Sequence, residues 1–131
     1  MMPPNAYDIV VVGSGPAGQK AAIQGAKAGK KVVLIEQEQG IGGNCVYRGT
    51  IPSKTLRETA LQFERLKRSS EVFEGRLRLD VPMSVLLHRL DEVVKAHECY
   101  MADQLTRNSV TYRHGRARFL SPHEVELETI D

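Results

Sequence analysis

A glycine-rich hexapeptide, Gly13-Ser14-Gly15-Pro16-Ala17-Gly18, constrains this chain more than any other feature, because it directly follows a short β-branched run. Residues 7–12 read Tyr-Asp-Ile-Val-Val-Val, a pattern that suits a strand buried on both faces in a parallel sheet. Small and helix-forming residues continue to Ala28 and stop at Gly29. A second apolar run, Lys31-Val32-Val33-Leu34-Ile35-Glu36, follows at once. Strand, Gly-rich turn, helix and strand within about 30 residues predict a βαβ unit with a right-handed crossover. The expected fold is α/β and Rossmann-like, a parallel sheet with flanking helices.

Each part of the turn has a chemical reason. Gly13 allows the tight turn, Gly15 lets the backbone approach a pyrophosphate, and Gly18 lets the helix pack close to the sheet. The helix N-terminus then presents free N–H groups and the positive end of its dipole. Glu36, 18 positions after Gly18 at the end of the second strand, can accept hydrogen bonds from a ribose diol. Its carboxylate also disfavours a 2′-phosphate. Ala21, Ala22, Gly25 and Ala28 keep the helix thin where it meets the sheet. A Gly-rich turn that binds nothing is the competing reading, but strand, helix, spacing and acid all match. The residues specify a dinucleotide without saying which.

The rest of the chain is plainer. Residues 37–49 are glycine-rich without a hydrophobic period and read as a loop. A helix is expected over about 51–67, where Leu56, Ala60, Leu61, Phe63 and Leu66 recur at helical spacing. Residues 69–82 are polar, with a short extended piece at 76–79. A long amphipathic helix follows over 83–107, its stripe running Leu86/Leu87, Leu90, Val93/Val94, His97, Met101 and Leu105. The tail, 109–130, alternates as two or three short strands with a turn at Ser121-Pro122-His123.

Composition removes whole classes. With 131 residues the chain is one domain at most, and 41% hydrophobic with 26% charged residues excludes collagen-like and disordered readings. A net charge of +2 with interleaved signs leaves no basic patch, so no nucleic-acid partner is expected. The apolar run Ile9 to Val12 is far short of the roughly 20 residues a membrane helix needs. The N-terminus lacks the basic and apolar regions of a signal peptide, which points to the cytoplasm. Cys45 and Cys99 form no CxxC, so neither a disulfide framework nor a zinc site is expected. His88, His97, His114 and His123 have no ligand spacing, and no metal is expected. His97, on the apolar stripe, reads as a packing histidine.

The segment Gly42-Gly43-Asn44-Cys45-Val46-Tyr47-Arg48-Gly49-Thr50-Ile51-Pro52-Ser53-Lys54 resembles the active-site segment of the flavoprotein disulfide reductases, GGxCxxxGCxPSK. Gly13, Gly15, Gly18, Ala22 and Gly29 also fall on the longer GxGxxGxxxAxxxxxxG pattern of that family's FAD domain. The resemblance covers essentially the whole chain and implies FAD as cofactor. By it, the FAD contacts fall on Gly13, Gly15, Pro16, Ala17, Gly18, Glu36, Gln37, Gly42, Gly43, Asn44, Cys45, Gly49, Thr50 and Lys54. Gly115 and Ala117, in a Gly-Arg-Ala segment similar to one that contacts the adenine, complete the set. Cys45 and Lys54 are the implied catalytic residues, Cys45 near the flavin ring and Lys54 near its N5 edge.

One position departs from the family pattern. Thr50 stands where disulfide reductases carry a second cysteine, so Cys45 has no partner in this segment for a redox disulfide. A branch of the family shares this departure and continues much like Ile-Pro-Ser-Lys-x-Leu-Arg, which residues 51–57 match here. It transfers hydride from NADPH to FAD and from reduced FAD to NAD without a dithiol. NADPH and NAD are then the implied substrates of the whole protein. Two alternatives stand beside this reading: a flavoprotein NAD(P)H reductase with another acceptor, such as a quinone or external disulfide, and a non-catalytic folded fragment. Family members are much longer, so residues 1–131 are expected to form the N-terminal segment of a split FAD-binding domain. The NAD(P) and dimerisation domains would then be absent, part of the sheet missing, and the chain alone inactive. Uncovered edges and faces would favour a homo-oligomer.

Overall fold

A computed structural model describes residues 6–72 and 81–130, with side chains at 70–72 set aside. The elements run β1 (Ile9–Val12), α1 (Pro16–Lys27), β2 (Val32–Glu36), α2 (Gly43–Tyr47), α3 (Thr50–Val72), α4 (Met83–Arg107), β3 (Thr111–His114), β4 (Arg116–Ser121) and β5 (Glu124–Glu128). The extended piece expected at 76–79 lies outside the described residues.

β1, β2 and β3 form a parallel sheet with β2 in the centre, and β4 with β5 forms a separate antiparallel hairpin. The register sets Ile9 against Val32 and Val12 against Ile35, then Val33 against Thr111 and Glu36 against His114. β2 is buried at all five positions, as its unbroken apolar run requires of a strand flanked on both edges. Asp8 fastens the start of the pair: its N–H donates to the Lys31 carbonyl, and its carboxylate accepts the Lys31 N–H at 2.7 Å.

One face of the sheet carries the core. Val32 and Leu34 meet Ala22 and Ile23 of α1, Met101 and Leu105 of α4, and Val110, while Ile9, Val11 and Tyr112 pack at its margin. On the opposite face Val10 and Val12 are 41% and 52% exposed. There Val33, Ile35 and Arg113 line an open cavity of about 770 Å³ with Leu120, Val125 and Leu127 of the hairpin.

Two expectations need correcting. Residues 37–49 are not all loop, because Gly43–Tyr47 winds into the short helix α2. Burial decides this rather than local propensity: Ile41 and Val46 enter the core beside Met101. α4 has the expected bounds, but its stripe is not evenly used. Met101 and Leu105 are buried, Leu86, Leu90, Val93, Val94 and His97 only partly, and Val85 and Leu87 are exposed. Among the described residues, no helix is long and apolar enough to cross a membrane.

Candidate functional site

The site is built where β1 and β2 end. The Gly13 N–H donates to the Ile35 carbonyl at 2.7 Å, which ties the start of the turn to the neighbouring strand. α1 then begins at Pro16 with Gly15 as its N-cap. No side chain caps this end and its first turn holds no acidic residue. Its N–H groups and dipole are therefore left for an anion. A Cβ at Gly15 would meet nothing within 4 Å, so this backbone faces open space. Gly18 is the reverse case: a Cβ there would run into the Gly13 carbonyl, with Val11 Cγ1 at 3.3 Å. The turn and the first coil of α1 are thus in direct backbone contact.

Glu36 closes β2 and is only 5% exposed. Its Oε2 accepts the N–H and the hydroxyl of Ser14, each at 2.7 Å, and Oε1 accepts the Glu38 N–H at 2.9 Å. Burial pushes this carboxyl up, but the Glu38 N–H, the Ser14 hydroxyl and N–H, and the Gln37 N–H outweigh it. The net result is a pKa below the ordinary 4.5, so the side chain is an anion at neutral pH. A diol placed against this carboxylate meets a fixed, charged acceptor.

Ser14 is the residue that motif reading passes over. It is fully buried, and its hydroxyl also accepts the Gly42 N–H at 2.9 Å. Gly42 and Gly43 lead into α2, and a Cβ on Gly43 would sit 3.0 Å from the Gly15 Cα. The side-chain direction of Gly43 points at the Gly15 backbone, which leaves no room for a side chain at 43. The segment bearing Cys45 therefore closes directly onto the Gly13–Gly18 turn.

Cys45 on α2 is exposed, as are Asn44, Thr50 and Lys54, while Gly49 is partly buried. The Arg48 N–H donates to the Asn44 carbonyl at 2.9 Å, and a Cβ at Gly49 would lie 3.1 Å from that same oxygen. α3 starts at Thr50, and Ser53 covers its first turn by donating to the Gly49 and Thr50 carbonyls at 3.0 and 3.2 Å. Among the described residues Lys54 makes no ion pair. Cys99, on α4, is exposed as well.

The Gly115-Arg116-Ala117 segment reaches the same corner, where the Gly115 N–H donates to the Glu36 carbonyl at 2.8 Å. That glycine also has a structural reason, because Glu128 of β5 leaves no room for a Cβ. Nearby, the Tyr47 hydroxyl is buried beside the Glu98 carboxylate without a well-formed hydrogen bond. Burial first, then Glu98, Tyr112 and Glu36, push its pKa up to about 12. Burial, Glu36 and Glu98 likewise raise Tyr112. No periodicity announces this pairing of α2 with α4. Among the described residues no group of three or more His, Cys, Asp or Glu side chains converges as a metal site would require.

Residues 7–131 match the family described as pyridine nucleotide-disulphide oxidoreductase. The soluble pyridine nucleotide transhydrogenase of Mycobacterium tuberculosis is 43% identical over 124 residues, which is 93% of this chain and 26% of that relative. The mitochondrial dihydrolipoyl dehydrogenase 1 of Arabidopsis thaliana is 34% identical over 125 residues, 95% of this chain and 25% of its own. Among solved structures, the Cu(II) complex of the HOCl-induced flavoprotein disulfide reductase RclA of Escherichia coli superposes with a TM-score of 0.76. It is 29% identical and covers 95% of this chain and 25% of its own. The chain thus spans about a quarter of the length of the relatives it matches.

Proposed function

The chain belongs to the pyridine nucleotide-disulphide oxidoreductase family, and on that premise we propose that it is the FAD-binding part of a pyridine nucleotide transhydrogenase. The reaction is hydride transfer from NADPH to NAD. Family membership and the flavoprotein neighbour imply FAD. The residues present fit it: an uncapped helix end and open Gly15 for the pyrophosphate, and the buried Glu36 anion for the ribose. Gly13, Pro16, Ala17 and Gly18 shape the phosphate cradle, with Gln37, Gly115 and Ala117 flanking the adenosine. Gly42, Gly43, Asn44, Gly49 and Thr50 carry the backbone toward the ring. A bound flavin supplies reversible two-electron hydride acceptance.

The observation that carries this reading is Thr50 at the position of the family's second redox cysteine, five residues after an exposed Cys45. A threonine hydroxyl forms no disulfide, so Cys45 cannot relay electrons to a neighbour in its segment. Lys54 would set a cation beside a bound flavin ring, where it could stabilise negative charge. The relatives named transhydrogenase support the same choice. The test is an absorbance assay on the full-length protein with NADPH as donor and an NAD analogue as acceptor. Turnover is expected, and efficient reduction of lipoamide or glutathione disulfide instead would overturn the proposal.

A flavoprotein reductase with a different acceptor is the second reading, favoured by the likeness to a dihydrolipoyl dehydrogenase and a disulfide reductase. It uses the same FAD site, and the acceptor assay separates the two. A homo-oligomer in the cytoplasm suits either.

A further inference from the structure

We infer that Ser14 is a positioning residue that sets the Glu36 carboxylate for the cofactor and couples it to the Cys45 segment. This deepens the FAD-binding reading above and rests on it. The Ser14 side chain is fully buried and has one hydroxyl proton, which goes to Glu36 Oε2 at 2.7 Å. The Ser14 Oγ in turn accepts the Gly42 N–H at 2.9 Å. The order of donation is therefore fixed: Gly42 N–H to Ser14 Oγ, and Ser14 O–H to the Glu36 anion. The Ser14 N–H, also at 2.7 Å, grips the same carboxylate oxygen, so the side chain and its own backbone act as a clamp. In a chain of this kind each bond polarises the next, and an ionised acceptor at its end strengthens all of them.

Replacing Ser14 by alanine removes the middle of the chain. Glu36 keeps the Ser14 and Glu38 N–H groups but loses its hydroxyl donor, and the buried Gly42 N–H loses its acceptor. The two effects fall on different ends of the site. One loosens the carboxylate that meets the ribose. The other loosens the turn that enters α2 and presents Cys45.

Two readouts on the full-length protein separate this from a general loss of stability. The first is FAD dissociation, followed by flavin fluorescence after dilution. Ser14→Ala is expected to release FAD about five- to tenfold faster, in line with the net worth of one intramolecular hydrogen bond. In a Glu36→Gln background the same substitution should change release less than twofold, because the charged end of the chain is gone. Equal factors in both backgrounds would overturn the carboxylate arm. The second readout is alkylation of Cys45 by iodoacetamide in FAD-stripped protein, with Cys99 replaced by serine. Ser14→Ala is expected to speed it severalfold, and an unchanged rate would overturn the coupling arm. Ser14→Gly removes the same hydroxyl without adding a thiol, so it should move both readouts in the same direction should the alanine variant fail to fold. Alkylation needs neither FAD nor turnover, so failure of the transhydrogenase reading leaves this test standing.

Discussion

The two ends of the site are built on opposite principles. At one end, Ser14 and Glu36 are buried and joined by two hydrogen bonds of 2.7 Å. At the other, Cys45, Thr50 and Lys54 are exposed, and Lys54 has no ion-pair partner among the described residues. A buried charge persists only when its partners are fixed, so the first end is preorganised by the fold itself. The second end is placed by packing and backbone together, through the buried Val46 of α2, the Gly43–Gly15 contact and the start of α3 at Thr50. Ser14 and Glu36 are thus locked into the core, while Cys45 and Lys54 are mounted on its surface.

The largest expected effect breaks that comparison in one step. Glu36→Ala in the full-length protein should lower FAD affinity at least tenfold, since a hydrogen bond to a charged group contributes roughly 1.5–3 kcal/mol. Rate per bound flavin should change little. Lys54→Ala should do the opposite, keeping flavin content and slowing hydride transfer. Flavin absorbance measured beside turnover checks both, and equal FAD content in Glu36→Ala and the parent would defeat the ribose assignment.

A smaller effect tests the joint between the ends. Gly43 has φ +63°, and its missing Cβ faces the Gly15 Cα. Gly43→Ala should cost about 1–2 kcal/mol from the left-handed backbone alone, read as a lower midpoint in denaturant. The smallest effect concerns Tyr47. Its folded pKa of about 12 exceeds the ordinary 10, so between those values the folded chain keeps a proton that the unfolded chain releases. Stability from this group is complete below pH 10 and is lost as pH rises toward 12. Thermal midpoints across that window should fall less steeply in Tyr47→Phe, with Tyr112 supplying the remaining slope.

Much of this was legible in the sequence, and for a physical reason. The βαβ unit is local, its strands are uniformly apolar, and its glycines are forced by contacts as close as that of Gly18 with Gly13. The bounds of α4 follow from an uninterrupted helical period. α2 was hidden because a five-residue helix has too little length to show a period, and Val46 holds it by tertiary contact. Period also tells which residues of α4 share a face, not how much of that face is covered, so Leu105 and Leu87 look alike in sequence. Ser14 occupies a position the glycine motif leaves unspecified, and its partners lie in β2 and before α2. The Tyr47–Glu98 contact joins distant segments and carries no local signal at all.

The central placement of β2 has a kinetic corollary. A strand hydrogen-bonded on both edges and covered at every residue exchanges its amide protons only when the whole sheet opens. The β4–β5 hairpin and the exposed first turns of α4 can breathe on much shorter times without disturbing it. Glu36 is the last residue of that strand, so the carboxylate proposed to meet the ribose sits on the slowest-opening part of the chain.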